Sequence, residues 1–197
     1  MTSALRKGNQ PIEPMTVDEF IAWGDGEGGK YQLVDGEVRA MSPASTTHGT
    51  IQADLAKWLS NHLDVPGGRC RVLTEPAVQT RIRAKKNMRV PDLGVTCTAD
   101  AAGQIALPDP LLLIEIMSPG NQKDTWDNVW AYATIPSVRE ILIVQSTRIE
   151  AQLLRRQADG SWPQEPDLIL LDGILGLSSI DFSVPLSQVY AKTYLAP

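Results

Sequence analysis

The segment "PLLLIEIMS", residues 110–118, constrains the fold of this chain more than any other. Its residues are apolar almost without interruption, which is typical of a strand that is buried on both faces of a sheet. Glu115 interrupts the apolar run. A carboxylate in such a core-like setting is costly, by several kcal/mol when unpaired, so Glu115 is a candidate functional residue.

A second acid stands in a similar strand. In "NMRVPDLGV", residues 87–95, Asp92 follows a proline and is surrounded by apolar residues. Strand alternation places Asp92 and Gly94 on one face, and it places Leu113, Glu115 and Met117 on one face of the later strand. If the two strands pair, the two carboxylates converge.

Two neighbouring carboxylates repel each other, and three arrangements relieve the repulsion: protonation, a basic partner, or a divalent cation with oxygen ligands. Mg²⁺ suits the pair best, because it takes one or two carboxylates and completes its shell with water and phosphate oxygens. Asp92 and Glu115 are therefore the predicted metal ligands. The alternative is that the aspartate simply bonds to backbone at a strand end.

Helices and hairpins are predicted on either side of these strands. The capping box "TVDE" begins a first helix, Asp35-Gly36 indicates a tight hairpin, and apolar residues at helical spacing predict a helix from about Thr47 to Leu63. Further strand candidates are "CRVLTEPAVQTRI", "SVREILIVQS" and "TRIEAQLLRRQ", the last two as a hairpin, while "NQKDTWDNVWAYATI" and the tail "VPLSQVYAKTY" are predicted as helices. In the helix predicted for "NQKDTWDNVWAYATI", the stripe of Trp126 and Trp130 is interpreted as part of the core.

Composition limits the class of protein. A chain of 197 residues with 43% hydrophobic residues suits one globular domain, predicted as residues 15–197 behind a loose arm of residues 1–14. Neither a membrane span nor a signal peptide is found in the sequence, so a cytoplasmic protein is expected. Cys70 and Cys97 lack the spacing of a zinc or redox site and are predicted to be reduced core residues.

The net charge of −5 argues against a surface that grips nucleic acid everywhere, although a local basic patch remains compatible with it. One such patch is "RIRAKKNMR", residues 81–89. Beside an acidic pair it is a candidate for binding DNA phosphates, and a solvated hairpin tip is the equal alternative. Its basic residues are Arg81, Arg83, Lys85, Lys86 and Arg89.

At this point the chain resembles a known family. "RVPDLGV" and "LIEIMSP", with "YQLVDGEVRAMSPASTTHG" upstream and "WAYATIPSVREILIV" downstream, are similar in order to the Uma-type putative restriction endonucleases, members of the PD-(D/E)XK nuclease superfamily. The resemblance spans about Met15 to Tyr190. It implies a restriction-endonuclease-like α/β core with a mixed central sheet flanked by helices, Mg²⁺ or Mn²⁺ between the acids, hydrolysis of DNA, and a homodimer.

The resemblance also assigns residues. Asp92 matches the family aspartate and Glu115 the acid of its E-x-K element, but Met117 stands at the lysine position. Relatives generally carry that lysine four residues before a tyrosine, and here the residue four before Tyr132 is Asn128. Lys123 is the basic residue available as a substitute, with a solvated lysine as the alternative.

Two more residues bear on activity. His48 is a candidate at the start of its helix, with equal weight on a capping histidine without chemistry, and the usual Tyr-Glu-Leu of the first strand contains Gln32 instead of Glu. Three hypotheses follow: a Mg²⁺-dependent endonuclease, a catalytically inactive nuclease fold kept for binding or dimerisation, or an α/β protein whose two acids are structural.

Overall fold

The computed structural model describes residues 13–23 and 29–197, and the predicted arm falls, except for residues 13 and 14, outside them. The helices are α1 Val17–Ala22, α2 Thr46–Leu63, α3 Gln122–Ala133 and α4 Leu186–Val189. The first six strands are β1 Tyr31–Val34, β2 Glu37–Ala40, β3 Arg71–Thr74, β4 Val78–Gln79, β5 Met88–Arg89 and β6 Leu93–Thr96. The others are β7 Pro110–Met117, β8 Glu140–Gln145, β9 Glu150–Arg155, β10 Asp167–Leu170, β11 Ile174–Leu177 and β12 Phe182–Pro185.

The central sheet has six strands in the order β10-β9-β8-β7-β6-β3. Only β7 and β8 run parallel, so the sheet is mixed. Ile114 and Ile116 of β7 pack with α2 in one buried cluster, whereas Leu113 and Met117 pack with α3 in another. Because the strand alternates between the two clusters, it is buried on both faces as predicted, and the expected α/β core flanked by helices is confirmed.

The N-terminal region forms a second sheet in the order β2-β1-β5-β4. The predicted hairpin is present: β1 and β2 pair antiparallel, and both residues of the turn, Asp35 and Gly36, have positive φ, as a tight hairpin turn requires. The capping box of α1 is also present, since the Thr16 hydroxyl oxygen accepts from Glu19 N–H and the Glu19 carboxylate accepts from Thr16 N–H. This sheet places β5 between β1 and β4.

Two strands predicted as continuous are broken, and this is a correction. "CRVLTEPAVQTRI" divides into β3 and β4 at Glu75 and Pro76, where Glu75 has positive φ, and "NMRVPDLGV" divides between β5 and β6 around Pro91. The two halves of each segment belong to different sheets. A proline lacks the N–H that a ladder needs and restricts its neighbour, which explains both breaks.

The cysteine prediction is also corrected. Cys70 and Cys97 are half-buried and form a disulfide. They continue the antiparallel register in which Arg71 faces Thr96, so each is carried to the same sheet end by β3 and β6. The β8–β9 hairpin and the tail helix α4 agree with the sequence interpretation, while β10, β11 and β12 were not predicted. No helix in the described ranges is long and apolar enough to cross a membrane.

Candidate active site

Asp92 lies at the start of β6, held from three sides. Its Oδ1 accepts a hydrogen bond from His48 Nε2 at 2.9 Å, and its Oδ2 accepts one from the backbone N–H of Ile116 at 2.5 Å. Its backbone carbonyl accepts from Gln52 Nε2 and from the N–H of Glu75. These bonds come from α2, β7 and the end of β3, so the carboxylate has little freedom to turn.

His48 reaches Asp92 from the first turn of α2. Ser45 caps that helix by accepting from the backbone N–H of His48, and this bond fixes the backbone from which the imidazole projects. The other ring nitrogen, Nδ1, lies 3.3 Å from Ser118 Oγ. The tautomer with its proton on Nε2 donates to Asp92 and accepts from the Ser118 hydroxyl at Nδ1, so one tautomer makes both bonds. The imidazole therefore joins the two strand ends that carry the acids.

Glu115 faces Asp92. In the antiparallel β6–β7 pair Leu93 is opposite Ile114, and the next step of the register sets Asp92 opposite Glu115. Glu115 is 7% exposed, and its Oε1 accepts from Tyr132 OH at 2.7 Å and from Asn128 Nδ2 at 3.2 Å. Asn128 and Tyr132 are four residues apart on α3 and so share the helix face that covers the sheet.

The electrostatics of the pair are unfavourable. Burial, and then the negative charge of Asp92, raise the pKa of Glu115 to about 8, and the bonds from Tyr132 and Asn128 offset this only in part. Burial and the nearby acids likewise raise the pKa of the Tyr132 hydroxyl well above its usual range. The site thus holds one carboxyl group that resists ionisation until positive charge arrives.

A chain of buried side chains continues from Asn128. Arg89 donates from one guanidinium nitrogen to Asn128 Oδ1 at 2.9 Å and from another to Asn87 Oδ1 at 3.1 Å. Asn87 in turn donates to Asp35 Oδ1 in the β1–β2 turn. The second sheet is therefore connected to Glu115 by hydrogen bonds.

The predicted basic patch is corrected at one residue. Arg89 is only 5% exposed, so it is not part of the surface. The other four residues lie in the segment between β4 and β5, where Arg81, Arg83 and Lys85 are exposed and Lys86 is half-buried. Arg83 pairs with Asp35 at 2.8 Å, and the backbone of Arg81 donates to Thr134 at the end of α3. The exposed part of the patch is therefore a basic loop, residues 81–86, beside the end of α3.

Lys123 is not brought to the acids. Its ammonium bonds Asp127 at 2.5 Å, and its side chain is 85% exposed. Lys123 and Tyr132 are nine positions apart, about two and a half helical turns, so their side chains point to opposite sides of α3. Met117, the other position considered for a cation, is buried, with its sulfur 3.4 Å from Gln145 Nε2.

The oxygen atoms at this site are of the kind that a hard divalent cation binds. Asp92 and Glu115 offer carboxylate oxygens, and Gln32 Oε1 is a buried amide oxygen without a hydrogen bond among the described residues. In β1, Gln32 is one step from Leu33, which pairs with Met88, so Gln32 faces Arg89 across the strands. Within the described ranges no three His, Cys, Asp or Glu side chains gather as a metal site, so the oxygens of the two acids are the ligands that the site itself offers.

Sequence reasoning identified both acids and His48 but missed the roles of Arg89, Asn128 and Tyr132. The signal for the last two was present, because residues four apart on a helix that follows an acidic strand share one face. Arg89 gave no such signal. Its strand has only two residues, and its burial follows from the pairing of β5 with β1 and β4.

Comparisons with known proteins agree with this architecture. The family described as Uma2, putative restriction endonuclease, matches residues 17–185. An uncharacterised protein of Synechocystis, slr1290, is 29% identical over 185 residues, which cover 91% of this chain and 93% of that protein. A crystal structure described as a putative nuclease belonging to DUF820 from Anabaena variabilis superposes with a TM-score of 0.74 at 17% identity, covering 90% of this chain and 98% of the other.

Proposed function

Because the chain belongs to the Uma2 family of putative restriction endonucleases, we propose that it is a Mg²⁺- or Mn²⁺-dependent endonuclease that hydrolyses the phosphodiester bonds of DNA. The observation that supports this is the buried pair of Asp92 and Glu115 at facing strand positions. The charge of Asp92 adds to burial in raising the Glu115 pKa, so the free protein holds two acids whose repulsion a divalent cation would relieve.

The two acids would hold the cation. When bound, a divalent cation supplies Lewis-acid charge to the phosphate and activates a water at neutral pH. The chain's own residues prepare the acids for this role. His48 and the Ile116 N–H fix the two oxygens of Asp92, while Tyr132 and Asn128 hold Oε1 of Glu115.

The basic loop would bind the substrate. Arg81, Arg83 and Lys85 are exposed near the end of α3, the helix whose inner face contacts Glu115. Lysine and arginine contacts to phosphates supply the part of DNA affinity that does not depend on base sequence. In the described ranges we identify no base-reading helix, so the proposal concerns cleavage of DNA without a stated target sequence.

A second candidate is a catalytically inactive nuclease fold that serves as a binding or dimerisation module. Two observations favour it: Met117 and Asn128 stand where a cation was expected, and Lys123 is bound to Asp127 at the surface. Homodimer formation and a cytoplasmic location remain predictions from the sequence. Sedimentation velocity of the purified chain tests the first of them.

The decisive experiment is nicking of a supercoiled plasmid with Mg²⁺ and with Mn²⁺, using the wild type and Asp92→Ala. We expect metal-dependent nicking by the wild type and a loss of about 10²-fold or more in the variant. Arg139→Met is the matched control, because Arg139 is exposed and precedes β8 at the strand end remote from Glu115. Equal nicking by wild type and Asp92→Ala would reject the proposal, and absence of nicking by the wild type with either metal would favour the inactive module.

A further inference from the structure

Arg89 is a buried cation held by neutral partners. Its guanidinium donates to the amide oxygens of Asn128 and Asn87, and its Nε–H has no partner among the described residues. Arginine is seldom buried unless it is paired, and its side chain stays charged inside a protein. A full positive charge therefore lies in the interior beside α3, without a carboxylate bonded to it directly.

That charge is directed at the acidic pair. Asn128 accepts from Arg89 through Oδ1 and donates to Glu115 through Nδ2, so a single amide separates the guanidinium from the carboxyl group. The amide cannot exchange its two roles. If Asn128 were flipped, its NH₂ would face the guanidinium and its oxygen would face the carboxyl oxygen, losing both bonds.

Hydrogen bonding among the described residues leaves part of the guanidinium unused. Its Nε–H and the Oε1 of Gln32, a buried donor and a buried acceptor, are both unpartnered on facing positions of β5 and β1. The direct partners of Arg89, Asn87 and Asn128, are neutral amides, so they do not cancel its positive charge.

We propose that Arg89 is a positioning residue that supplies the positive charge of the acidic site and acts through Asn128. This inference rests on the proposed nuclease function. Phosphodiester hydrolysis places extra negative charge on the phosphate in the transition state, and a fixed cation in a water-poor site stabilises it. Arg89 is the buried cation joined to Glu115 through one side chain, whereas the ammonium of Lys123 is bound to Asp127 at the surface.

The test moves the charge by one side chain. Arg89→Met removes it with little change in length, Arg89→Lys keeps it, and Arg89→Met combined with Asn128→Lys places it at position 128. Arg139→Met is the control for loss of a surface arginine. Two quantities are measured for each folded variant, with circular dichroism as the folding check: plasmid nicking with Mn²⁺, and the Kd for Mn²⁺ by calorimetry without DNA.

Arg89→Met is expected to lower kcat about 10²-fold with little change in KM, while Arg89→Lys and the double variant recover nicking to within about tenfold of the wild type. The Kd for Mn²⁺ is expected to move in the opposite direction. Loss of a nearby positive charge should tighten Mn²⁺ binding about threefold or more in Arg89→Met, and the double variant should return it to the wild-type value. If Arg89 had only a structural role, its replacement by methionine would loosen the site and weaken Mn²⁺ binding.

The two readouts separate this inference from the proposed function. If no variant nicks DNA, the nuclease function fails, while tighter Mn²⁺ binding in Arg89→Met that is reversed in the double variant still supports the charge assigned to Arg89. Unchanged or weaker Mn²⁺ binding in Arg89→Met overturns the inference. If Arg89→Met does not fold, Arg89→Gln takes its place: tighter Mn²⁺ binding in Arg89→Gln than in Arg89→Lys supports the inference, and equal or weaker binding overturns it.

Discussion

Asp92 and Glu115 face each other across two antiparallel strands, one register step beyond the pair formed by Leu93 and Ile114. The two acids are bonded to different partners. Asp92 accepts from His48 and a backbone N–H, whereas Glu115 accepts from Tyr132 and Asn128. Burial, and then the charge of Asp92, raise the pKa of Glu115.

The first prediction concerns stability against pH in the absence of metal. Because the folded-state pKa of Glu115 is about 8, above its ordinary value of 4.5, the native state holds the proton more tightly than the unfolded state. The stability contributed by this proton is complete below about pH 4.5 and is lost as pH rises through about 8. Glu115→Gln removes the effect and should be more stable than the wild type at pH 9, by roughly 2–4 kcal/mol.

Urea unfolding from pH 4 to 9 in the presence of a chelator measures this. The glutamine still accepts from Tyr132 OH, so the variant is a close match in shape. If the stability of wild type and of Glu115→Gln depended on pH in the same way, the pKa of Glu115 would not be raised in the folded protein.

The second prediction is that divalent metal stabilises the fold. A ligand that binds only the native state at 100 times its Kd adds about 2.7 kcal/mol to the free energy of unfolding, equivalent to roughly 5 °C or more in Tm for a chain of this size. We expect this rise with Mn²⁺ for the wild type and for Arg139→Met, and none for Asp92→Ala. An unchanged wild-type Tm at millimolar Mg²⁺ and Mn²⁺ would contradict the metal site.

The sequence predicted the acids and the central strand well for a physical reason. A run of apolar residues that alternates between two covered faces leaves no ambiguity about burial, and an acid within it stands out. The sequence could not predict the burial of Arg89. Whether a basic residue in a short segment lies at the surface depends on which strand pairs with it, and the break at Pro91 places Arg89 and Asp92 in different sheets.

The third prediction tests the bond between His48 and Asp92. His48→Ala removes a donor to a buried carboxylate and should destabilise the protein by about 1–3 kcal/mol and reduce the Tm rise caused by Mn²⁺. His62→Ala is the matched control, because His62 is a half-buried histidine of α2 that donates a hydrogen bond to the carbonyl of Ile180. It should lower stability and leave the response to Mn²⁺ intact. A full Mn²⁺ response in His48→Ala would favour a capping histidine without chemistry.

The fourth prediction concerns DNA affinity. Replacing Arg81, Arg83 and Lys85 together by alanine should weaken binding of a duplex oligonucleotide, measured by fluorescence anisotropy with chelator present. It should also reduce the slope of log K against log salt by about 2–3, because each phosphate contact contributes about 0.9. The pairing of Arg83 with Asp35 makes its share the smallest. Arg148→Ala, at a turn where the arginine bonds Glu150, is the control, and a slope change there of about 0.9, the same per residue as in the loop, would remove the special role of the loop.

The last prediction concerns Lys123, the sequence-based candidate for the cation of the site. For this role the beginning of α3 would have to lie over the end of β7, which an N-cap at Asn121 would favour. Asn121 is the N-cap, but its side-chain oxygen accepts from the backbone N–H of Ser118 instead of capping the helix. The residues of α3 that contact Glu115 are Asn128 and Tyr132, further along the helix and on a face that Lys123 does not share. Since its ammonium is solvated and bonded to Asp127, Lys123→Ala should change nicking by less than about threefold, the effect expected for a surface ion pair. Measured beside Arg89→Met in one nicking assay, a loss of about 10²-fold in Lys123→Ala with full activity in Arg89→Met would restore Lys123 as the charge that stabilises the transition state.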